Sequence, residues 1–177
     1  MIRKPETTEY NAYFQRYVDL VPPGVPFEEL FRNNTEEVVS LFGHTPGTLH
    51  DFRYAEDKWT VKQMLMHIID TERVFSYRML VAARQDPETP LHRMNENFYA
   101  SHADVSNRSM EDLLEEFRTV RRAMEFLFTG LTDEQSRFMA NAVTYKVTAR
   151  ALAWITVGHA SHHMNILKER YLSAKDN

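Results

Sequence analysis

The amino-acid sequence predicts an all-α protein that folds as a four-helix bundle. Apolar residues recur at spacings of three and four rather than two, which is the period of amphipathic helices. Only five of the 177 residues are glycine. Four long amphipathic segments follow one another, and packing side by side is the simplest way to bury their apolar faces. With 43% hydrophobic residues the chain can build one well-buried core, so we expect a single domain over residues 1–177.

The N-terminal part of the chain is predicted to be an arm that leads into the first bundle helix. Residues 1–25 form this arm, whose aromatic side chains are expected to lie along the bundle. A Pro-Pro-Gly sequence ending at Gly24 interrupts the path. The first bundle helix should then run from about Phe27 to Phe42 on a stripe of apolar residues. Gly43 follows directly and is expected to close it in a left-handed conformation.

The second and third bundle helices have clear start signals. Thr60 and Gln63 have the T-x-x-Q spacing of a capping box, so the second helix should begin there and continue to about Ala83. Ser109 is a favourable N-cap for the third helix, which repeats apolar residues at spacings of four and three until Gly130. Both helices are therefore long enough to span a bundle.

The fourth bundle helix is predicted from near Thr148 to Tyr171, and residues 173–177 should be a frayed tail. Two connections, residues 43–59 and 84–108, are longer than bundle geometry needs. Long connections in small domains often shape a binding site. We therefore expect these two loops to border the functional site.

Composition excludes several classes of function. The formal net charge is −4 and no cluster of basic residues occurs, so neither nucleic acid nor an anionic membrane surface is the expected main partner. The sequence contains no cysteine, so any metal must be held by nitrogen and oxygen ligands. The N-terminal residues lack the apolar stretch of a signal peptide, and no run of about 18 apolar residues occurs, so the expected location is the cytoplasm.

Two of the eight histidines lie on one face of the fourth helix. At 100° per residue, His159 and His163 both fall within about 20° of Leu152, in the middle of the apolar stripe. This i, i+4 spacing is the one by which a helix offers two nitrogens to one metal. The same pair could instead be hydrogen-bonded in the core or lie at a partly wet mouth of the bundle.

A third histidine could complete a metal site. His67 lies about 60° from Met64, at the edge of the apolar stripe of the second helix. Three neutral imidazoles that leave positions free for water or substrate are typical of a catalytic divalent site. His162 lies at the edge of the fourth-helix stripe, where it is either a neighbour of the ligands or a rim residue. The remaining histidines, in predicted loops, are His44, His50, His92 and His102.

Two charged residues of the second helix are further candidates. Glu72 falls near the centre of the apolar stripe, where a carboxylate must be paired, protonated or ligating. It could orient a histidine or serve as a base, or it could form a structural ion pair with Arg150 or Arg170. Arg78 lies on the same side of the helix as His67 and could reach an anionic substrate or merely cover the bundle rim.

Three segments, KWTVKQMLMHIIDTERVFSYRML, MNENFYA and TARALAWITVGHASHHMNILKERYL, resemble the DinB superfamily, which includes the YfiT-like proteins. The resemblance covers nearly the whole chain. It implies an up-down-down-up four-helix bundle and a divalent metal ion, most often nickel or zinc, bound by His67, His159 and His163. The loop segment from Met94 to Tyr99 departs from the family's usual FDE-x-x-Y pattern.

The resemblance also implies an activity. Members include hydrolases and S-transferases that use low-molecular-weight thiols such as bacillithiol and mycothiol. We therefore expect a metal-dependent hydrolase or a thiol-dependent transferase acting on a small molecule, with Tyr99 and Arg78 contacting the substrate and Glu72 as an orienting group. The alternative is a non-catalytic, stress-associated metal-binding or scaffolding bundle. Relatives often pair through bundle faces, so a homodimer is expected as well.

Overall fold

The computed structural model describes residues 3–142 and 145–173, which form a mainly helical fold. Short 3₁₀ turns occur in the N-terminal arm and after the first long helix, and the last long helix ends in a π-helical turn. The elements are α1 (Gln15–Val18), α2 (Phe27–Gly43), α3 (Val61–Ala83), α4 (Glu96–His102), α5 (Met110–Thr129), α6 (Asp133–Arg137), β1 (Met139–Asn141), β2 (Lys146–Thr148), α7 (Ala149–Ile166) and the π-helical turn (Leu167–Leu172).

The four long helices α2, α3, α5 and α7 pack together as the predicted bundle elements. Helix α3 contacts α5 on one side and α7 on the other, and α2 contacts the same two helices. Two clusters of buried apolar side chains fill the space between them. None of the helices in the described part of the chain is both long and apolar enough to cross a bilayer.

The predicted helix starts are confirmed by their caps. The Thr60 hydroxyl accepts a hydrogen bond from the Gln63 N–H at 3.1 Å, and the Gln63 side chain accepts one from the Thr60 N–H at 2.9 Å. The Ser109 hydroxyl accepts from the backbone of Asp112, as expected of an N-cap. These bonds satisfy amide groups that the first helical turn leaves free, which fixes where each helix begins.

The prediction of a left-handed Gly43 is wrong. Gly43 is the last residue of α2, and the helix is closed by His44, whose φ is −89° and whose N–H donates to the Ser40 carbonyl. A right-handed final turn therefore leaves no need for a left-handed residue. Gly24 has that conformation instead, with a φ of 84°, in the break that precedes α2.

The prediction of a purely helical chain also needs correction. Strands β1 and β2 form a small antiparallel hairpin in which Met139 pairs with Thr148, and β2 leads directly into α7. The predicted loop 84–108 contains the short helix α4, which Asn95 caps by accepting from the Phe98 N–H at 3.1 Å. The predicted frayed tail lies outside the described residues from position 174 onward.

The N-terminal arm packs on α7 at one very close contact. A Cβ atom added to Gly158 would lie only 1.9 Å from the Tyr17 carbonyl oxygen, so glycine is needed for α1 to lie against α7 here. Tyr10 and Tyr17 are buried by this packing, whereas Tyr13 is 54% exposed. The expected homodimer stays a prediction.

Candidate metal centre

The three predicted histidine ligands meet where α3 packs against α7. His67 is on α3, and His159 and His163 are one turn apart on α7. The Nε2 atoms of His67 and His159 are 3.2 Å apart, and those of His163 and His159 are 3.1 Å apart. One ligand atom from each of the three residues lies within 4.8 Å of the other two. All three side chains are buried.

These spacings suit a shared cation better than hydrogen bonds among the rings. Metal–nitrogen bonds of about 2.0–2.1 Å place two nitrogen ligands about 3.3 Å apart at tetrahedral angles and about 2.9 Å apart at right angles. The observed 3.1 and 3.2 Å fall between these values. The single lone pair of the His159 Nε2 can accept one well-directed hydrogen bond, whereas a cation would satisfy all three nitrogens together. The residues present therefore fit a divalent metal ion.

The protonation states at this cluster favour metal binding. Burial, together with the nearby His162, lowers the pKa of His67 to about 4. Burial and the neighbouring imidazoles hold the pKa values of His159 and His163 well below their usual range. The rings are therefore neutral at pH 7. Neutral imidazole is the form that binds metal ions.

Aromatic side chains hold the three imidazoles in place. Trp59 lies over His67 with 4.4 Å between ring centroids, and Tyr17 packs edge-on against His159 at 5.4 Å. The Nδ1 atoms of the three ligand histidines have no hydrogen-bond partner among the described residues. Ring packing therefore orients the Nε2 atoms in this protein. Metal sites more commonly orient a histidine ligand by a hydrogen bond to its other ring nitrogen.

The ligand nitrogens face a cavity of about 520 Å³. The N-terminal arm, α3, the loop before α4 and α7 all contribute to its wall. Its lining residues are Asn11, Tyr13, Phe14, Tyr17, Trp59, His67, Thr71, Val74, Phe75, Arg78, Arg93, Met94, Glu96, Asn97, Ala142, Tyr145, His159, His162 and His163. A cavity of this size accommodates a small organic molecule.

A second cavity of about 540 Å³ meets the first one at the histidine cluster. Trp59, Asn97 and His163 line both cavities. Charged residues of the loop 53–58, including Arg53 and Lys58, line the second cavity, whereas aromatic rings line much of the first. His163 therefore borders both cavities.

Comparison with known proteins places this site in a family. A sequence model of the DinB superfamily matches residues 30–167, a range that contains all three histidines of the cluster. The chain belongs to the DinB superfamily. No curated protein sequence matches it.

Two solved structures resemble this DinB-superfamily chain in fold. YfiT from Bacillus subtilis, described as a probable metal-dependent hydrolase with an unusual four-helix bundle topology, has a TM-score of 0.69 at 18% identity, covering 98% of this chain and 94% of that chain. The mycothiol-dependent maleylpyruvate isomerase has a TM-score of 0.62 at 14% identity, covering 80% of this chain and 60% of that chain. At such low identities the likeness establishes the fold, and the chain spans about 60% of the isomerase's length.

Glu72 lies away from the cavity of this DinB-superfamily protein. Its fully buried carboxylate accepts from Arg121 on α5, with 2.7 Å between Arg121 Nε and Glu72 Oε2. Burial raises the pKa of Glu72, and the Arg121 guanidinium opposes that rise. The ion-pair alternative is thus the one observed, but its partner differs from those expected. Arg150 pairs with Glu9 of the arm instead, at 2.6 Å.

Of the two residues predicted to contact the substrate, Arg78 lines a cavity and Tyr99 does not. Arg78 is buried and lines the first cavity, where it donates to the His92 carbonyl at 2.7 Å and to the Tyr145 hydroxyl at 3.2 Å. Tyr99 is 46% exposed and is not among the residues that line either cavity. Its role in substrate contact stays a prediction, while Asn97 of the same helix lines both cavities.

His162 is both a neighbour of the ligand His163 and part of the cavity wall. It lines the first cavity, and its ring centroid is 5.2 Å from that of His163 and 5.5 Å from that of Tyr17. Burial and the nearby Arg16 lower its pKa. Trp59 and Tyr17 are also site residues, but helical periodicity did not indicate them. Both lie outside the four long helices from which the periodicity was read.

Proposed function

We propose that the protein is a metal-dependent enzyme acting on a small molecule. The observation that carries this proposal is the convergence of three buried, neutral imidazoles on one wall of a cavity of about 520 Å³. His67, His159 and His163 would hold a divalent ion. Nickel and zinc are the ions that the family resemblance implies, and imidazole donors suit both. When bound, such an ion acts as a Lewis acid and lowers the pKa of a water or thiol ligand, which supplies a nucleophile at neutral pH.

The chain's own residues would prepare the site in two ways. Ring contacts with Trp59 and Tyr17 would fix the directions of the His67 and His159 imidazoles before the ion binds, so little rearrangement would be needed. The aromatic rings in the cavity wall, including Phe14 and Phe75, would displace water from around a bound substrate. Electrostatic interactions strengthen in such a water-poor site.

Between the two reactions expected of the site, the cavities favour thiol transfer over hydrolysis. Hydrolysis needs room for one organic substrate and a water molecule, whereas thiol transfer needs room for two organic molecules. Two cavities that share Trp59, Asn97 and His163 would allow a low-molecular-weight thiol and an electrophile to approach the same point from different sides. The chain has no cysteine, so the thiol must come from a separate molecule.

The test is an activity screen of metal-loaded protein. A panel of small electrophiles is offered with and without biological thiols, for the parent and for His163→Ala. We expect turnover that requires both His163 and a thiol. Turnover that needs His163 but is equal without thiol would favour hydrolysis.

A non-catalytic metal-binding or scaffolding bundle is the alternative. It predicts stoichiometric metal without turnover of any electrophile in the panel, and it gives no reason for a cavity beside the metal ligands. Arg118→Met, on the exposed face of α5, is the control for handling and folding, because Arg118 is not among the residues that line either cavity. It should behave like the parent in every assay.

A further inference from the structure

Arg78 is a buried cation with no acidic partner in the part of the chain that the structure describes. Its side chain is 6% exposed, yet it forms no ion pair with any described carboxylate. Its recorded partners, the His92 carbonyl and the Tyr145 hydroxyl, are both neutral and occupy only two of the five guanidinium N–H groups. Buried arginines are normally paired with a carboxylate or phosphate, because an isolated buried charge is unfavourable.

The charge balance of the first cavity leaves the Arg78 guanidinium uncompensated. Arg93 also lines this cavity and adds a second positive charge. Glu96 is the one acidic residue among the described lining residues, and it forms no ion pair with either arginine. A divalent ion at the histidine cluster would make the cavity more positive still. The cavity is therefore electrostatically suited to an anion.

Aromatic rings lie between Arg78 and the histidine cluster. The Phe75 ring lies 6.0 Å from Arg78 Cζ and 6.1 Å from the His159 ring centroid, so the guanidinium is at most about 12 Å from that imidazole. Phe14 packs against both Phe75 and Tyr145, with ring centroids 6.5 and 5.5 Å apart. A ligand that spans this distance meets a positive charge at one end and aromatic rings along its length.

We propose that the cavity takes an amphipathic organic anion whose carboxylate, sulfonate or phosphate group binds to Arg78. This proposal rests on the proposed function, because it assigns the substrate class of the same site. Its apolar body would lie against Phe14 and Phe75, and its reactive group would reach the imidazoles. Arg78 would fix the orientation of the substrate through charge-assisted hydrogen bonds, which are about twice as strong as neutral ones.

The test compares two probes of nearly the same size and shape, one anionic and one neutral. Binding of 4-phenylbutyrate and of its uncharged amide is measured by titration calorimetry, for the purified protein and for a chelator-treated sample. The parent should bind the acid about ten- to a hundredfold more tightly than the amide. Arg78→Met should lose most of this preference, because only Arg93 and any bound ion would still attract the acid, and Arg78→Lys should keep a larger part of it. Arg118→Met, an equivalent change at an exposed site, should keep all of it.

Failure of this proposal can be told apart from failure of the proposed function. Equal acid-to-amide ratios in the parent and Arg78→Met would overturn the anion site, even if metal and activity are present. A preference that depends on Arg78 in a protein without metal or turnover would support the anion site while the proposed enzyme is rejected. Arg78→Lys keeps the charge, so it decides the question if Arg78→Met fails to fold.

Discussion

Replacing Glu72 by glutamine tests whether this residue is part of the core or of the site. Glu72 and Arg121 are 0% and 1% exposed, and two nitrogen–oxygen contacts of 2.7 Å join them. Glu72→Gln leaves the Arg121 charge buried without a carboxylate, beside a neutral amide, the Thr35 hydroxyl at 3.4 Å and the rings of Phe31 and Phe117. Removing one partner of a buried ion pair costs about 3–5 kcal/mol of unfolding free energy. Urea denaturation followed by circular dichroism should show that loss, without a change in metal content.

A double variant provides the control for this interpretation. Glu72→Leu combined with Arg121→Met removes both charges, and similar apolar replacements of buried ion pairs are often neutral or stabilising. Its unfolding free energy should therefore lie well above that of Glu72→Gln. The reasoning is refuted if Glu72→Gln keeps the stability of the parent but loses metal binding or turnover. That result would make Glu72 an orienting group of the site.

Two other predictions follow from contacts at the histidine cluster. Gly158→Ala places a Cβ 1.9 Å from the Tyr17 carbonyl oxygen, so we expect about 1–3 kcal/mol of destabilisation and faster proteolysis of the arm; the stabilisation usual for Gly→Ala in a helix would disprove the contact. In metal-free protein the pKa of His67 is lowered to about 4, so the unfolded chain binds a proton at this residue more readily than the folded protein does. The contribution of His67 to the free energy of unfolding is therefore complete above pH 6.5 and is lost as the pH falls toward 4. In urea titrations, the free energy of unfolding of the parent should fall by about 2 kcal/mol more than that of His67→Phe between pH 7 and pH 5. Equal decreases in the two proteins would contradict a lowered pKa of His67.

Local signals predicted the helices well. The capping box of Thr60 and Gln63 has both of its expected hydrogen bonds, because such a box depends on residues three positions apart in the same turn. The short elements α4, β1 and β2 were missed, since segments of three to seven residues carry too little periodicity to be distinguished from loops. Packing between distant parts of the chain stabilises them.

Directions around a helix were predictable, but partners across the bundle were not. Helical rotation placed His159 and His163 on one face and aimed Glu72 inward, as the structure has them. It could not reveal that Arg121 would lie opposite Glu72, because that depends on which helices are neighbours. The role of Gly158 was also hidden, since its partner is a backbone carbonyl 141 positions earlier in the chain.

The central claim is that His67, His159 and His163 bind one divalent metal ion. Elemental analysis of the purified protein, combined with X-ray absorption spectroscopy of the bound ion, tests it most directly. We expect one ion per chain with three imidazole nitrogens in its coordination shell, and loss of the ion in His163→Ala but not in Arg118→Met. A parent protein without stoichiometric metal, or a His163→Ala variant that keeps the same ion and shell, would contradict it.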